Sequence, residues 1–115
     1  MSRFMPYSPA RWGPPAWDFL YCMAFSYPKK PTSQDKKNMI QFLKNFSNVL
    51  PCNVCKNHFR ASIRKNPLNK AVASKTILVK WVMNVKNEIS KKNGVPTSKL
   101  DNYTALCKKY YMNKL

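Results

Sequence analysis

The sequence has very few glycines, acidic residues and histidines. Two glycines occur in 115 residues, so tight β-turns and hairpins have little support. Four acidic residues oppose 21 lysines and arginines, which gives a formal net charge of +17 at pH 7. A charge of this size bears on solubility and partners rather than on fold. It admits nucleic acid, acidic proteins, anionic membranes, the phosphates of a cofactor or simply a solvated lysine surface.

Long apolar runs are also lacking. No stretch approaches the roughly 20 apolar residues that a membrane-spanning helix needs. The N-terminal segment is interrupted by four prolines within 15 residues, so it lacks the apolar centre of a secretory signal. We therefore predict an intracellular protein that is not secreted and has no membrane span. Four cysteines in such a chain suggest redox or metal chemistry before a framework of structural disulfides.

What the chain does contain is apolar residues at helical spacing. We predict an irregular arm over residues 1–11 and a single helical domain over residues 12–115. The predicted helices cover about 15–27, 33–50, 52–65, 75–93 and, more briefly, 103–110. Proline closes the third helix at Asn66-Pro67, because the residue before proline avoids helical geometry. No stretch alternates as a strand does, so the predicted fold class is all-α, a four-helix bundle with a short fifth helix.

Three helix ends have recognisable signals. Thr32 or Ser33 is suited to cap the second helix. Gly94 is suited to follow the last residue of the fourth helix, with proline two residues later. Ser98 with Asp101 three residues on resembles a capping arrangement for the last helix.

The strongest chemical signal is a C-x-x-C motif at Cys52 and Cys55, directly after Pro51. Proline is tolerated at a helix start, so both thiols are expected near the positive end of the third helix. Lys56 and, when protonated, His58 add positive charge. Each effect favours thiolate and lowers the pKa of both cysteines, which equips the pair for thiol–disulfide exchange.

Other roles for the motif are open from the residues alone. A zinc site would need further ligands from Cys22, Cys107 or His58, which only the fold could bring together, so no metal is predicted. An inert buried pair is a second possibility. A thioredoxin-type site is excluded, because no βαβ pattern surrounds the motif. Cys22 and Cys107 can form a structural disulfide or remain free thiols.

Three motifs together resemble the Erv/ALR family of flavin-linked sulfhydryl oxidases. They are the W-G-x-x-x-W segment at residues 12–17, the L-P-C-x-x-C segment at residues 50–55, and Trp81 followed by Asn87 and Lys91. The resemblance covers roughly residues 11 to 95. It is greatest to the short versions made by large cytoplasmic DNA viruses.

This resemblance implies a helical bundle around FAD. Electrons would pass from the thiols of substrate proteins to Cys52–Cys55, then to FAD and then to O2, giving hydrogen peroxide. Cys52 would be the outer cysteine that meets substrate, and Cys55 the inner one beside the flavin. The resemblance also implies a homodimer through the first two helices. For a viral protein it implies a location in host cytoplasm or virion.

The resemblance further implies a set of cofactor-binding residues. These are Trp12, Gly13, Trp17, Tyr21, His58, Trp81, Asn87 and Lys91. Asn84 is added because helical spacing places it on one stripe with Trp81, Asn87 and Lys91. The chain departs from the family pattern at Tyr21, Lys86 and Ser90, where histidine, histidine and asparagine are usual.

Two other functions are weighed against the oxidase. The departures from the family pattern and the +17 charge suggest, as an alternative, a non-enzymatic structural or virion component on the same fold. A nucleic-acid binder is possible from the charge, but no nucleic-acid-binding motif supports it.

Overall fold

The computed structural model describes residues 8–111, which form helices joined by short connections. Their bounds are Pro9–Phe25 (α1), Ser33–Asn48 (α2), Asn53–Lys65 (α3), Leu68–Ala71 (α4), Lys75–Lys92 (α5) and Tyr103–Tyr110 (α6), with a 3-10 turn at Thr97–Lys99. Within these residues there is no strand, and the all-α prediction is confirmed. No helix in this range is long and apolar enough to cross a membrane.

The first helix begins earlier than predicted. The Ser8 hydroxyl accepts a hydrogen bond from the Ala10 N–H, and Pro9 occupies the first helical position, so these two residues start the helix. Pro14 and Pro15 then lie inside α1 at exposed positions instead of starting it. Residues 9–11 are therefore helical, whereas the rest of the predicted arm, residues 1–7, lies outside the described residues.

Two of the predicted helix ends are confirmed. Thr32 and Asp35 form a reciprocal capping box at the start of α2, with N···O distances of 2.9 and 3.0 Å. Gly94 follows α5 with a φ of 84°, a conformation that glycine adopts without strain.

The predicted capping arrangement at Ser98 and Asp101 is wrong. Asn102 caps α6 instead, and its side-chain oxygen accepts from the Ala105 N–H at 2.9 Å. Asp101 does not cap α6, and it lies instead in the wall of the candidate active site.

The core surrounds α5, which packs on α1, α3 and α4. It has buried residues on two sides, namely Leu78, Val79, Trp81, Val82 and Val85. Residues of α1, α2 and α3 close over them, with Leu20, Leu43 and Phe59 almost completely buried. This packing holds the start of α3, and with it the C-x-x-C motif, against α1 and α5.

Candidate active site

A cavity of about 800 Å³ opens beside the start of α3. Its wall comes from α1, α3, α5, α6, the end of α2 and the connection that precedes α6. Seven of the predicted site residues line it, namely Trp12, Gly13, Trp17, Tyr21, Cys52, Cys55 and His58. The volume lies within the range typical of small-molecule sites, so this cavity is the candidate site.

Cys52 caps the third helix. Its backbone is extended, with φ −141° and ψ 124°, and its Sγ accepts a hydrogen bond from the Cys55 N–H at 3.3 Å. The hydrogen bond from the Cys55 thiol lowers the pKa of Cys52, and the backbone N–H groups of Cys55 and Val54 lower it further, against the opposing effect of burial. The pKa of Cys52 is therefore lowered, as its position at the helix start predicts.

The pKa of Cys55 is shifted in the opposite direction. Burial raises the pKa of the Cys55 thiol to about 11, and the hydrogen bond to Cys52 together with its negative charge acts in the same direction. The prediction that both cysteines have lowered pKa values is wrong for Cys55. The reason is packing, because side chains distant in sequence cover the inner thiol.

This asymmetry predicts an order of alkylation in the reduced protein. Cys52 should react with iodoacetamide at least about tenfold faster than Cys55 near neutral pH, since each unit of pKa difference changes the thiolate fraction about tenfold. Mass spectrometry of timed digests measures both rates in one sample, with exposed Cys22 as an internal reference. Equal rates at Cys52 and Cys55 would contradict the asymmetry.

Aromatic side chains cluster beside the cavity that Cys55 lines, with Phe59 at their centre. The Phe59 ring lies 6.3 Å from Trp17, 5.5 Å from Phe46 and 6.2 Å from Trp81, measured between ring centroids. Phe59, Phe46 and Trp17 all line the cavity, and half-buried His58 lies on the same wall, three residues after Cys55. Phe59 was not among the predicted cofactor residues, although it lies on α3 four residues after Cys55.

Trp81 lies behind this wall and does not line the cavity. Its indole N–H donates to the backbone carbonyl of Asn66 at 2.7 Å, and 5% of its surface is exposed. That bond ties α5 to the end of α3. Trp81 therefore supports the site through Phe59.

The other α5 candidates also lie away from the cavity. Asn84 and Lys91 are exposed, and Asn87 is paired with the backbone of Asp101. The cavity instead receives Lys86, Ile89 and Ser90 from this helix and Asn93 directly after it. The assignments of Trp81, Asn84, Asn87 and Lys91 to the cofactor stay predictions.

A polar cluster forms another part of the wall, with the Asp101 carboxylate at its centre. One carboxylate oxygen accepts from the Tyr21 hydroxyl at 2.7 Å and from the Lys86 ammonium at 2.8 Å. Asn87 bonds both the N–H and the carbonyl of Asp101, at 2.9 and 3.0 Å. Two positions that depart from the family pattern, Tyr21 and Lys86, are thus bonded to the same residue.

These contacts set the ionisation of the cluster. Burial alone would raise the pKa of Asp101, but the hydrogen bonds from Lys86 and Tyr21 and the charges of Lys86 and Lys109 hold it below its usual range. Burial and the bond to Asp101 raise the pKa of Tyr21, which stays a neutral donor. Tyr110 likewise donates to Asp18, and its pKa is raised mainly by burial.

Asp101→Asn tests this cluster through stability. The folded-state pKa of Asp101 lies below its unfolded value, so the carboxylate stabilises the fold above pH ~4 and this contribution is lost as pH falls through the folded pKa. The variant should lose about 1–2 kcal/mol of unfolding free energy at neutral pH. Urea unfolding measures the loss, which should shrink in acid. A loss that is the same at both pH values would contradict the assignment.

The remaining two cysteines form no disulfide within the described residues. Cys22 is exposed and Cys107 is half-buried, and both are free thiols. No three His, Cys, Asp or Glu side chains within residues 8–111 lie together as a metal site would require.

The sequence is similar to flavin-linked oxidases over most of its length. A model of the Erv1 / Alr family matches residues 14–111. The mitochondrial FAD-linked sulfhydryl oxidase ERV1 of Saccharomyces cerevisiae is 40% identical over 80 residues, covering 70% of this chain and 41% of the yeast protein. A "probable FAD-linked sulfhydryl oxidase" of Acanthamoeba polyphaga mimivirus is 33% identical over 84 residues, covering 72% of this chain and 59% of the relative. This chain thus spans about half the length of these two relatives.

Solved structures give the same result for the fold. The crystal structure of the yeast Erv1 core matches with a TM-score of 0.84 at 31% identity, covering 99% of this chain and 92% of that one. The FAD binding domain of yeast Erv1 matches with a TM-score of 0.79 at 30% identity, covering 99% of both chains. The resemblance predicted from the sequence is confirmed.

Proposed function

Because the chain belongs to the Erv1 / Alr family, we propose that it is an FAD-dependent thiol oxidase that forms disulfide bonds in substrate proteins. The observation that carries the proposal is the position of Cys52 and Cys55. The pair stands at the start of α3, and both cysteines line a cavity with aromatic walls. A dithiol in that position can exchange with external thiols and lies beside a space suited to an electron acceptor.

The cavity residues fit FAD. Trp17 and Phe59 offer ring faces and edges to a planar heterocycle, and Lys86 and Lys109 bring positive charge to the polar part of the wall. Gly13 also lines the cavity, and an added Cβ there would meet no atom within 4 Å, so the glycine leaves room for a ligand. We therefore assign Trp12, Gly13, Trp17, Tyr21 and His58 to the cofactor. When bound, FAD takes two electrons from a dithiol and delivers them to O2, which becomes hydrogen peroxide.

The thiol chemistry of the chain follows from Cys52 being the outer cysteine of the pair. In the oxidised pair, a substrate thiolate attacks Cys52 Sγ, the Cys52–Cys55 bond breaks, and Cys55 leaves as a thiolate. The second substrate thiolate then attacks the substrate sulfur of the mixed disulfide and releases Cys52. The substrate has lost two electrons and two protons, and the Cys52–Cys55 pair has gained both. The lowered pKa of Cys52 suits it to be released in the second exchange, because lower-pKa thiols leave faster.

We also propose a homodimer formed through α1 and α2, in host cytoplasm or virion. Phe19 on α1 and Phe42 on α2 support the dimer, since 59% and 37% of their surfaces are exposed. Similarity to viral oxidases supports the location. Sedimentation that gives a monomer mass at micromolar concentration would rule out the dimer.

Stoichiometry tests the activity. Purified protein supplied with FAD, dithiothreitol and air should consume one O2 and form one hydrogen peroxide for each dithiol oxidised. An oxygen electrode and a peroxide assay measure the two quantities. Flavin-loaded protein that consumes no oxygen with dithiol would refute the proposed activity.

A further inference from the structure

The part of the chain that carries Cys52 is free of acidic residues. Between Asp35 and Glu88 there is no aspartate or glutamate. The same stretch contains eleven basic residues, namely Lys36, Lys37, Lys44, Lys56, Arg60, Arg64, Lys65, Lys70, Lys75, Lys80 and Lys86. It includes α3, α4, nearly all of α2 and most of α5. The positive charge is therefore concentrated on the elements around the reactive pair.

A row of cations leads away from Cys52 along α3. Cys52, Lys56, Arg60 and Arg64 follow at intervals of four residues, so each is a neighbour of the next on the helix surface. The Lys56 N–H donates to the Cys52 carbonyl at 2.9 Å, which starts the row at the reactive residue. Arg60 and Arg64 are exposed, and Lys56 is half-buried.

These cations are not neutralised within the part of the chain that the structure describes. The ion pairs found there join Lys65 to Glu88 and Lys86 to Asp101. The other two acidic residues are also engaged, since Asp18 accepts from Tyr110 and Asp35 completes the cap of α2. The row of Lys56, Arg60 and Arg64 is thus available to an external anion.

An exposed apolar residue lies close to Cys52 in the chain. Val49 directly follows α2, and 73% of its surface is exposed. Arg60 donates to the Asn48 side chain at 2.8 Å, which places the row of cations beside the end of α2. Apolar contacts next to charges are typical of a protein-recognition surface with a polar rim.

We propose that Val49, Lys56, Arg60 and Arg64 form a docking surface for protein substrates whose cysteine pair lies beside acidic residues. The proposal rests on the proposed oxidase function, to which it adds a substrate class. Opposite charge accelerates encounter by about 10-fold to 1,000-fold at low ionic strength and guides the substrate thiol towards Cys52. Salt weakens this attraction, because exposed charges are screened beyond about 10 Å at 0.1 M ionic strength.

Two matched peptides test the substrate class. Both contain the same cysteine pair, flanked by glutamates in one and by lysines in the other, and dithiothreitol serves as an uncharged substrate. At low salt, kcat/KM for the acidic peptide should exceed that for the basic peptide by about tenfold or more, and the ratio should fall as salt rises. Equal kcat/KM values for the two peptides at low salt would overturn the proposal.

Variants locate the surface. Arg60→Gln with Arg64→Gln should lower kcat/KM for the acidic peptide severalfold and leave dithiothreitol turnover unchanged, because both residues are exposed and neither lines the cavity. Lys29→Gln with Lys30→Gln removes the same charge from the exposed loop between α1 and α2 and should have a much smaller effect. Equal effects of the two pairs would assign the preference to overall charge and overturn the docking surface.

Binding separates docking from oxidase activity. Fluorescence anisotropy measures docking without turnover when serine replaces both cysteines in each peptide. Oxygen consumption with dithiothreitol measures the oxidase activity alone. Preferential binding of the acidic peptide, weakened in the Arg60/Arg64 variant, supports docking whatever the turnover. A short DNA duplex serves as a competitor for the acidic peptide. If the duplex displaces the peptide and also binds the variant more weakly than the parent protein, the surface is assigned to nucleic acid and the proposal is overturned.

Discussion

Cys55→Ser is expected to lower dithiol-dependent oxygen consumption by about 1,000-fold or more, because removal of an essential nucleophile eliminates the reaction route it serves. Cys55 is the half-buried member of the pair and lines the cavity with the aromatic rings. Without it no Cys52–Cys55 disulfide can form, so a substrate dithiol has nothing to reduce. The oxygen electrode measures the loss with dithiothreitol and with a peptide dithiol.

The matched control is Cys22→Ser. Cys22 is an exposed free thiol on α1, and it does not line the cavity. Its substitution should leave turnover within about twofold of the parent, as expected for an exposed position outside the site. Comparable losses in the two variants, or normal turnover in Cys55→Ser, would show that the C-x-x-C pair is not the redox centre.

Trp17→Ala is expected to weaken flavin binding about tenfold to a hundredfold, since an aromatic ring stacked on a heterocyclic base contributes about 1–3 kcal/mol. Trp17 is half-buried, lines the cavity and packs on Phe59. Its removal widens the cavity and takes away one ring face. Titration of flavin-stripped protein with FAD, followed by flavin fluorescence, gives the dissociation constant.

Phe19→Ala provides the comparison on the same helix. Phe19 is 59% exposed and does not line the cavity, so the variant should bind flavin as the parent does. Unfolding of both flavin-stripped variants in urea separates a loss of fold from a loss of affinity. Unchanged flavin affinity in Trp17→Ala would remove Trp17 from the cofactor site.

The helices and the reactive pair were predictable from the sequence because local signals determine them. Apolar spacing indicated the long helices, and Thr32 and Gly94 marked two of their ends correctly. The C-x-x-C motif after Pro51 indicated a helix start, and Cys52 is the cap of α3.

What could not be predicted depends on packing. Helix α5 is buried on two sides, so its apolar pattern did not reveal which polar residues face the cavity, and Lys86 and Ser90 face it while Asn84 does not. The role of Asp101 depends on Tyr21, which is distant in sequence. The sequence signal for this cluster was that Tyr21 and Lys86 replace two histidines that are usual in the family. Both side chains can donate a hydrogen bond to a carboxylate.

The opposite pKa shifts of the two cysteines also come from packing. Burial raises the pKa of both residues, but only at Cys55 is it the largest effect. A motif of four residues contains no information on what covers the inner thiol. The start of α1 was also predicted wrongly. Ser8-Pro9 and Pro14-Pro15 can each begin a helix, and α1 begins at the first of these pairs.

The visible spectrum under anaerobic titration tests the oxidase most directly. Protein loaded with FAD should lose its flavin absorbance when dithiothreitol is added without air, and the absorbance should return when O2 is admitted. Cys55→Ser, loaded in the same way, should retain its absorbance. A parent protein that binds FAD but keeps an unchanged spectrum with excess dithiol would contradict electron transfer from Cys52 and Cys55.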